Sequence, residues 1–307
     1  MKWYFLGALL FCGALLADEV LENEFLKAVV SERGGKVISL VEKSTGRQLV
    51  REGDVKDGST IGGIGKTVDV LFKNVESLAL KYELARTAED TVTATVRLAQ
   101  STLAGSLLTR TFQLPKGQTA LLCRTTLQSK EQENQFALKY HNMLAFGEDT
   151  VFTLPSKGGY SVVDYERSRL DKLSAVLEIG QPWIAALGRK SGRGVGVYVN
   201  TPQQLSNMFQ WNAESLEVTF SQVSLKPIAE ADEWGASISI IPFAGKGTVV
   251  EVTPEYVLTK SGGKATLYFV QSLGKCNAML DGKALGAVDA KAGSTCMALH
   301  LPRDWTK

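Results

Sequence analysis

Only two histidines occur in the chain, His141 and His300, and His141 stands where a small polar ligand could be worked on. It lies in residues 134–159, NQFALKYHNMLAFGEDTVFTLPSKGG. An apolar strand pattern leads into it, and Tyr140 and Asn142 flank it. The loop beyond closes on Pro155 and Gly158-Gly159. Imidazole titrates near neutral pH, so it can give or take a proton in a reaction. A histidine at a strand end can equally be a hydrogen-bonded structural residue. Asn142 adds an amide that can bond a hydroxyl.

Other residues suit a polar, ring-shaped ligand. Trp183, Trp211 and Trp234 offer faces on which sugar C–H groups can pack. Trp211 has the polar neighbours Asn207, Gln210 and Asn212, which makes it the best ligand candidate of the three. A tryptophan in a β protein is also a common core residue. Arg110, in LLTRTF, can clamp a hydroxyl or a carboxylate, or face solvent. Asp164, Glu166, Arg167 and Arg169 read as a solvated, charge-rich stretch.

Metal and cofactor chemistry find no motif. Cys12, Cys123, Cys276 and Cys296 form no CxxC or Cys/His spacing, so no zinc site is expected. Residues 52–66, EGDVKDGSTIGGIGK, are rich in Gly and Asp but lack GxxxxGK[ST] and a following helix, so they read as a loop and not as a phosphate cradle. No cofactor is expected.

The elements that must position these residues read as strands. Residues 20–50 show period-two alternation broken by Gly34-Gly35, which predicts a hairpin within a meander. From residue 68 to 127 short strands recur between polar turns, as in VDVLF, TVTATVRLA, LLTRTFQL and TALLCRTTL. That rhythm predicts a sandwich or barrel and excludes a doubly wound α/β sheet, which needs helical crossovers. PWIAALGRKSGRGVGVYVN predicts another hairpin, and LEVTFSQVSL and ASISIIP predict further strands. Residues 243–247, FAGKG, mark a composition break. The tail beyond it has its own strand pattern. It is marginal for independent stability, so packing on the rest of the chain or a Cys276–Cys296 bridge is expected to support it. Cys123 reads as a buried thiol.

A net charge of +2 without basic clusters argues against nucleic-acid binding. Lys2, the apolar run over residues 3–16 and Ala17 before Asp18-Glu19 have the pattern of a cleaved secretory signal. The run is too short to span a bilayer, and no other segment is long and apolar enough. The expected product is a mature chain without a transmembrane segment, secreted or periplasmic.

Several stretches, taken in order, resemble one family. LENEFLKAVVSERGGKVISLVEKSTGRQLV is similar to the opening of galactose-mutarotase-like domains, with a Gly-Gly hairpin and a TG-x-x-L line. KYHNMLAFGEDTVFTLPSKGG resembles the segment with their first histidine. PWIAALGRKSGRGVGVYV resembles a later strand pair. VSLKPIAEADEWGASISIIPFAG resembles their L-x-P-G-x-x-x-x-W entry, with Ile228 where the family has Gly. The resemblance implies an antiparallel β-supersandwich over 18–246, and with the signal peptide pattern over 1–17 and the tail's strand pattern, read as a small C-terminal β-sandwich-like module over 247–307, it makes an all-β chain. It also implies aldose 1-epimerase chemistry, in which one group protonates the ring oxygen of a sugar and another takes the anomeric hydroxyl proton. His141 would be the acid. Glu217, just before the L-x-P strand, would be the base, with Asn142, Arg110, Trp183 and Trp211 holding the mono- or oligosaccharide. The family's second histidine has no counterpart near the site, since His300 falls in the tail. Two functions therefore stand side by side: a sugar epimerase, or less readily a polysaccharide lyase, and a sugar-binding or structural protein that keeps the fold without activity.

Overall fold

Alternating apolar and polar residues leave one side of each strand to be buried, and the chain satisfies this with sheets alone. The computed structural model describes residues 18–51, 55–56, 59–60, 62–69, 75–76, 80–99, 105–128, 134–136, 138–156, 159–164, 173–175, 182–201, 205–212, 215–220, 223–225, 234–280 and 283–300. Every regular element among them is a β-strand, and every strand pair is antiparallel. The signal segment, Ile228 and most of the charged stretch from Tyr165 onward lie outside the described residues.

A nine-stranded sheet forms the backbone of the molecule. Its order runs Gly159–Asp164, Thr150–Ser156, Trp183–Gly188, Arg193–Val199, Trp234–Ala244, Leu121–Gln128, Leu107–Gln113, Thr91–Arg97, Glu83–Ala88. The long strand Trp234–Ala244 joins two parts of the chain distant in sequence. It pairs with Arg193–Val199 on one side and Leu121–Gln128 on the other. A four-stranded meander precedes this sheet (Glu19–Glu22, Leu26–Ser31, Lys36–Glu42, Arg47–Gln48). A six-stranded sheet carries the His141 strand, in the order Leu173–Ala175, Leu205–Asn212, Ser215–Phe220, Leu138–Met143, Lys66–Asp69, Val75–Glu76.

The central strands of the nine-stranded sheet are buried on both faces. Ile184, Val195, Val197, Ile238, Ile240 and Cys123 join the main core with the meander residues Leu26, Ala28 and Val37. Trp183, Ala185, Leu187, Ile241 and Phe243 face the other way and share a second core with Val249, Val252, Val257, Tyr268 and Val270 of the tail. This explains why the strand WIAALG is apolar at almost every position. All six residues are buried, as expected for a strand covered on both sides.

The tail contributes a four-stranded sheet (Thr248–Val252, Tyr256–Ser261, Lys264–Phe269, Thr295–His300) and a hairpin (Gly274–Leu280, Lys283–Ala290). Packing against the large sheet supports it, and a main-chain bond from Thr119 N to Val270 O at 2.8 Å ties the two together. Gly247 makes the close entry possible. Its φ is +84°, and a Cβ there would lie 2.0 Å from Lys260 O. Cys276 and Cys296 are free thiols, half-buried beside Phe269, Val288 and Ala290. The Cys276–Cys296 bridge is therefore not what holds the tail in this structure.

Candidate functional site

The strand Leu138–Met143 lies between Ser215–Phe220 and Lys66–Asp69. Its register sets His141 directly opposite Glu217 on one side and Lys66 on the other. Glu217 is in turn opposite Phe209, and Phe209 is opposite Ser174. Directly opposed residues in an antiparallel pair share a sheet face, with Cβ atoms about 5 Å apart. Strands are spaced about 4.8 Å apart, so the Lys66–His141–Glu217 row spans roughly 10 Å. The two residues that the resemblance pairs as acid and base are thus cross-strand neighbours. Tyr140 is one register step away, opposite Thr67 and Val218, and falls on the other face.

Asn142 fixes which face this is. Its side chain is fully buried, and its Oδ1 accepts a hydrogen bond from Gly65 N at 3.0 Å. Leu144, two residues on, is also buried in the main core. Since faces alternate along a strand, the register places His141 on the sheet face opposite to that of Asn142. Asn142 anchors the strand to the Gly63–Gly65 segment from beneath, and presents no surface to a ligand.

Trp211 lies on Leu205–Asn212, the strand next to Glu217, where the register shifts between Gln210 and Asn212. Such a bulge re-aims side chains and is common beside ligand sites. Trp234 opens the long strand of the other sheet, opposite Leu127.

Arg110 and Trp183 sit elsewhere. Arg110 has 0% exposure. Its Nη1 donates to Gly34 O and, at 3.0 Å, to Gly35 O, and its guanidinium lies 5.0 Å over the Tyr82 ring. It clamps the Gly-Gly turn of the first hairpin from inside. Gly35 has φ +51°, and a Cβ there would meet the Tyr82 ring at 2.6 Å, so the turn fits only without a side chain. In the sequence Arg110 reads as a ligand clamp or a solvent-facing residue; the buried carbonyls that it serves become neighbours only through the fold. Trp183 is 3% exposed and fills the second core against the tail. Neither side chain has surface to offer a sugar.

Sequence reasoning did not single out Lys66, Phe209 or Ser174 for the His141 row. No local pattern marks them, because strand order alone brings them to His141. Among the described residues no group of three or more His, Cys, Asp or Glu could hold a metal ion, and no helix is long and apolar enough to cross a membrane. Burial pushes the Cys123 thiol far up, in keeping with an unreactive core position.

The sequence matches no family model and no curated protein. Its three-dimensional likenesses are clear. The chain is similar to a galactose mutarotase-like protein from Lactobacillus casei ATCC 334, with 13% identity, a TM-score of 0.58, and coverage of 74% of this chain and 100% of that one. It is similar to the GalM/aldose epimerase homologue from C. elegans, with 13% identity, a TM-score of 0.54, and coverage of 75% and 100%. It is also similar to the alpha-N-acetylgalactosaminidase NagBb from Bifidobacterium bifidum, whose structure is a GalNAc complex, with 13% identity and a TM-score of 0.53 over 75% of this chain and 36% of that one. At such identities the likeness speaks for the fold: the chain has the galactose-mutarotase-like fold, divergent in sequence.

Proposed function

We propose, with the galactose-mutarotase-like fold as premise, that this chain is an exported protein that binds a mono- or oligosaccharide over the His141 row and interconverts its anomers. The observation that carries the reading is the direct register of His141 with Glu217. In the proposed cycle the His141 imidazolium gives its proton to the ring oxygen, and the Glu217 carboxylate takes the proton of the anomeric hydroxyl. The bond between the anomeric carbon and the ring oxygen breaks, leaving an open-chain aldehyde. Rotation and the reverse transfers close the ring with either hand. Lys66, beside His141, adds a cation to the row, and Trp211 at its bulge is the proposed stacking face.

A second reading, sugar binding without turnover, has its own support. His300 pairs with Lys264 in the tail sheet, so the second histidine of epimerases is not supplied near the row. Anomer exchange followed by NMR on the purified chain separates the two. Exchange faster than the uncatalysed rate, abolished by His141→Ala and by Glu217→Gln, is expected of the epimerase. Equal rates with and without protein would refute it, and sugar binding in calorimetry would then leave the binding protein. Export predicts a mature N-terminus near Asp18, readable by mass spectrometry of the secreted or periplasmic fraction.

A further inference from the structure

A separate cleft of about 430 Å³ opens where the first hairpin, the nine-stranded sheet and the tail meet. Its lining includes Glu42, Thr119 and Tyr268, all buried, and the half-buried Phe25 and Arg193. These residues come from three separate parts of the chain. The volume is that of a small-molecule pocket, with mixed apolar and polar walls.

The polar groups form a built arrangement. Arg193 Nη1 donates to Glu42 Oε1 at 3.1 Å, and Thr45 Oγ1 donates to Glu42 Oε2 at 2.8 Å. The Glu42 side chain keeps 8% exposure and that of Arg193 keeps 35%, so the guanidinium reaches into the open space. A carboxylate has about four acceptor sites and a guanidinium five donors, so both retain bonding capacity beyond each other. Thr119 and Tyr268, both buried, close the wall behind the pair. Well-packed apolar residues would hold such a seam about as firmly as a partly buried ion pair. A buried carboxylate held by two donors, with a partly exposed guanidinium beside it on one cavity wall, is better explained by recognition.

The charges around the cleft balance. Glu24 and Glu42 face Lys43 and Arg193. A strongly charged ligand would find one set repulsive, whereas a neutral one that both gives and accepts hydrogen bonds suits all four. Phe25 adds an aromatic surface. It is held in place by Asn23, whose Oδ1 accepts from Phe25 N at 2.9 Å and whose Nδ2 donates to Pro115 O at 2.8 Å.

We propose that this seam is a second binding site, separate from the His141 row, for a neutral polyhydroxylated ring such as a monosaccharide. Adjacent hydroxyls accept from Arg193 and donate to Glu42, and the C–H face of the ring packs on Phe25. A bound ring touches the hairpin and the tail together, so occupancy stabilises their docking.

Calorimetric titration of the full mature chain with D-galactose, D-glucose and D-mannose tests the site, alongside thermal unfolding. The expected result is binding that survives Trp211→Ala, which removes the stacking face proposed for the His141 row, and that weakens by about tenfold or more in Glu42→Gln and also in Arg193→Met. Arg193→Met keeps the side-chain stem and serves if Glu42→Gln does not fold. Sugar is expected to raise the melting midpoint of the Trp211→Ala protein. Binding lost in Trp211→Ala, binding unchanged in both seam variants, or no binding of any of the three sugars at millimolar concentration would overturn the proposal. Anomer exchange at the His141 row is scored independently, so failure of one site is distinguishable from failure of the other.

Discussion

Replacing Arg110 separates a structural clamp from a ligand clamp. The guanidinium donates to the carbonyls of Gly34 and Gly35, both buried, and stacks over Tyr82. Hydrogen bonds from a charged donor are worth about 1.5–3 kcal/mol each, and a carbonyl left buried and unbonded costs about 1–3 kcal/mol. The stacking adds about 1–2 kcal/mol in a desolvated place. Relief from desolvating the cation returns several kcal/mol. The expected net loss for Arg110→Met is about 3–5 kcal/mol, a large share of the roughly 5–15 kcal/mol that keeps a domain folded. Arg110→Lys keeps the charge but not the planar fork, so it should fall between the variant and the native chain. Urea unfolding gives the stability, and calorimetric sugar titration of the folded fraction gives the binding. Because Arg110 has no exposed surface, affinity in the folded fraction should stay at the native value. An Arg110→Met protein as stable as the native chain but unable to bind sugar would refute the reasoning and restore Arg110 as a ligand residue.

Three further outcomes are expected. Trp183→Ala should cost about 3–5 kcal/mol and expose the tail to limited proteolysis before the rest, because Trp183 fills the core that the tail shares; unchanged cleavage kinetics would show that the tail docks by other means. In the native chain, alkylation read by peptide mass spectrometry should modify Cys276 and Cys296, which are half-buried, and reach Cys123 only after unfolding. The hydrogen bond and charge of Lys43 hold the Glu22 carboxyl below its ordinary value. A depressed folded value means that this pairing is fully present above the ordinary carboxylate pKa and is lost as pH falls through the folded one. Lys43→Met should therefore move the Glu22 NMR titration midpoint upward, and high salt should shrink the difference.

The fold was largely legible because strand signals are local. Period-two alternation, the Gly34-Gly35 turn and the lack of helical stretches already specify an all-β chain, and the order of loose motifs points to the galactose-mutarotase-like arrangement. His141 stood out by residue type and its place at a strand end, whereas Glu217 was proposed as its partner only through that resemblance. Nothing in residues 134–159 predicts that Lys66 and Phe209 join the same row, since register across strands depends on which strands pair. The site roles expected for Arg110 and Trp183 failed to match their placement for a related reason. Residue type tells what a side chain can bond, whereas burial decides whether a ligand or the protein receives that bond.

By itself, the sequence determined the strands, their turns and the chemistry that its few polar side chains can offer. Tertiary structure decided the partners. It set His141 beside Glu217 and turned Arg110 inward onto a hairpin. It also folded the tail onto WIAALG, creating a cleft from Phe25, Glu42, Thr119, Arg193 and Tyr268. Alternation is written residue by residue, but pairing of distant strands is settled only when burial of both faces of a sheet selects one arrangement of the whole chain.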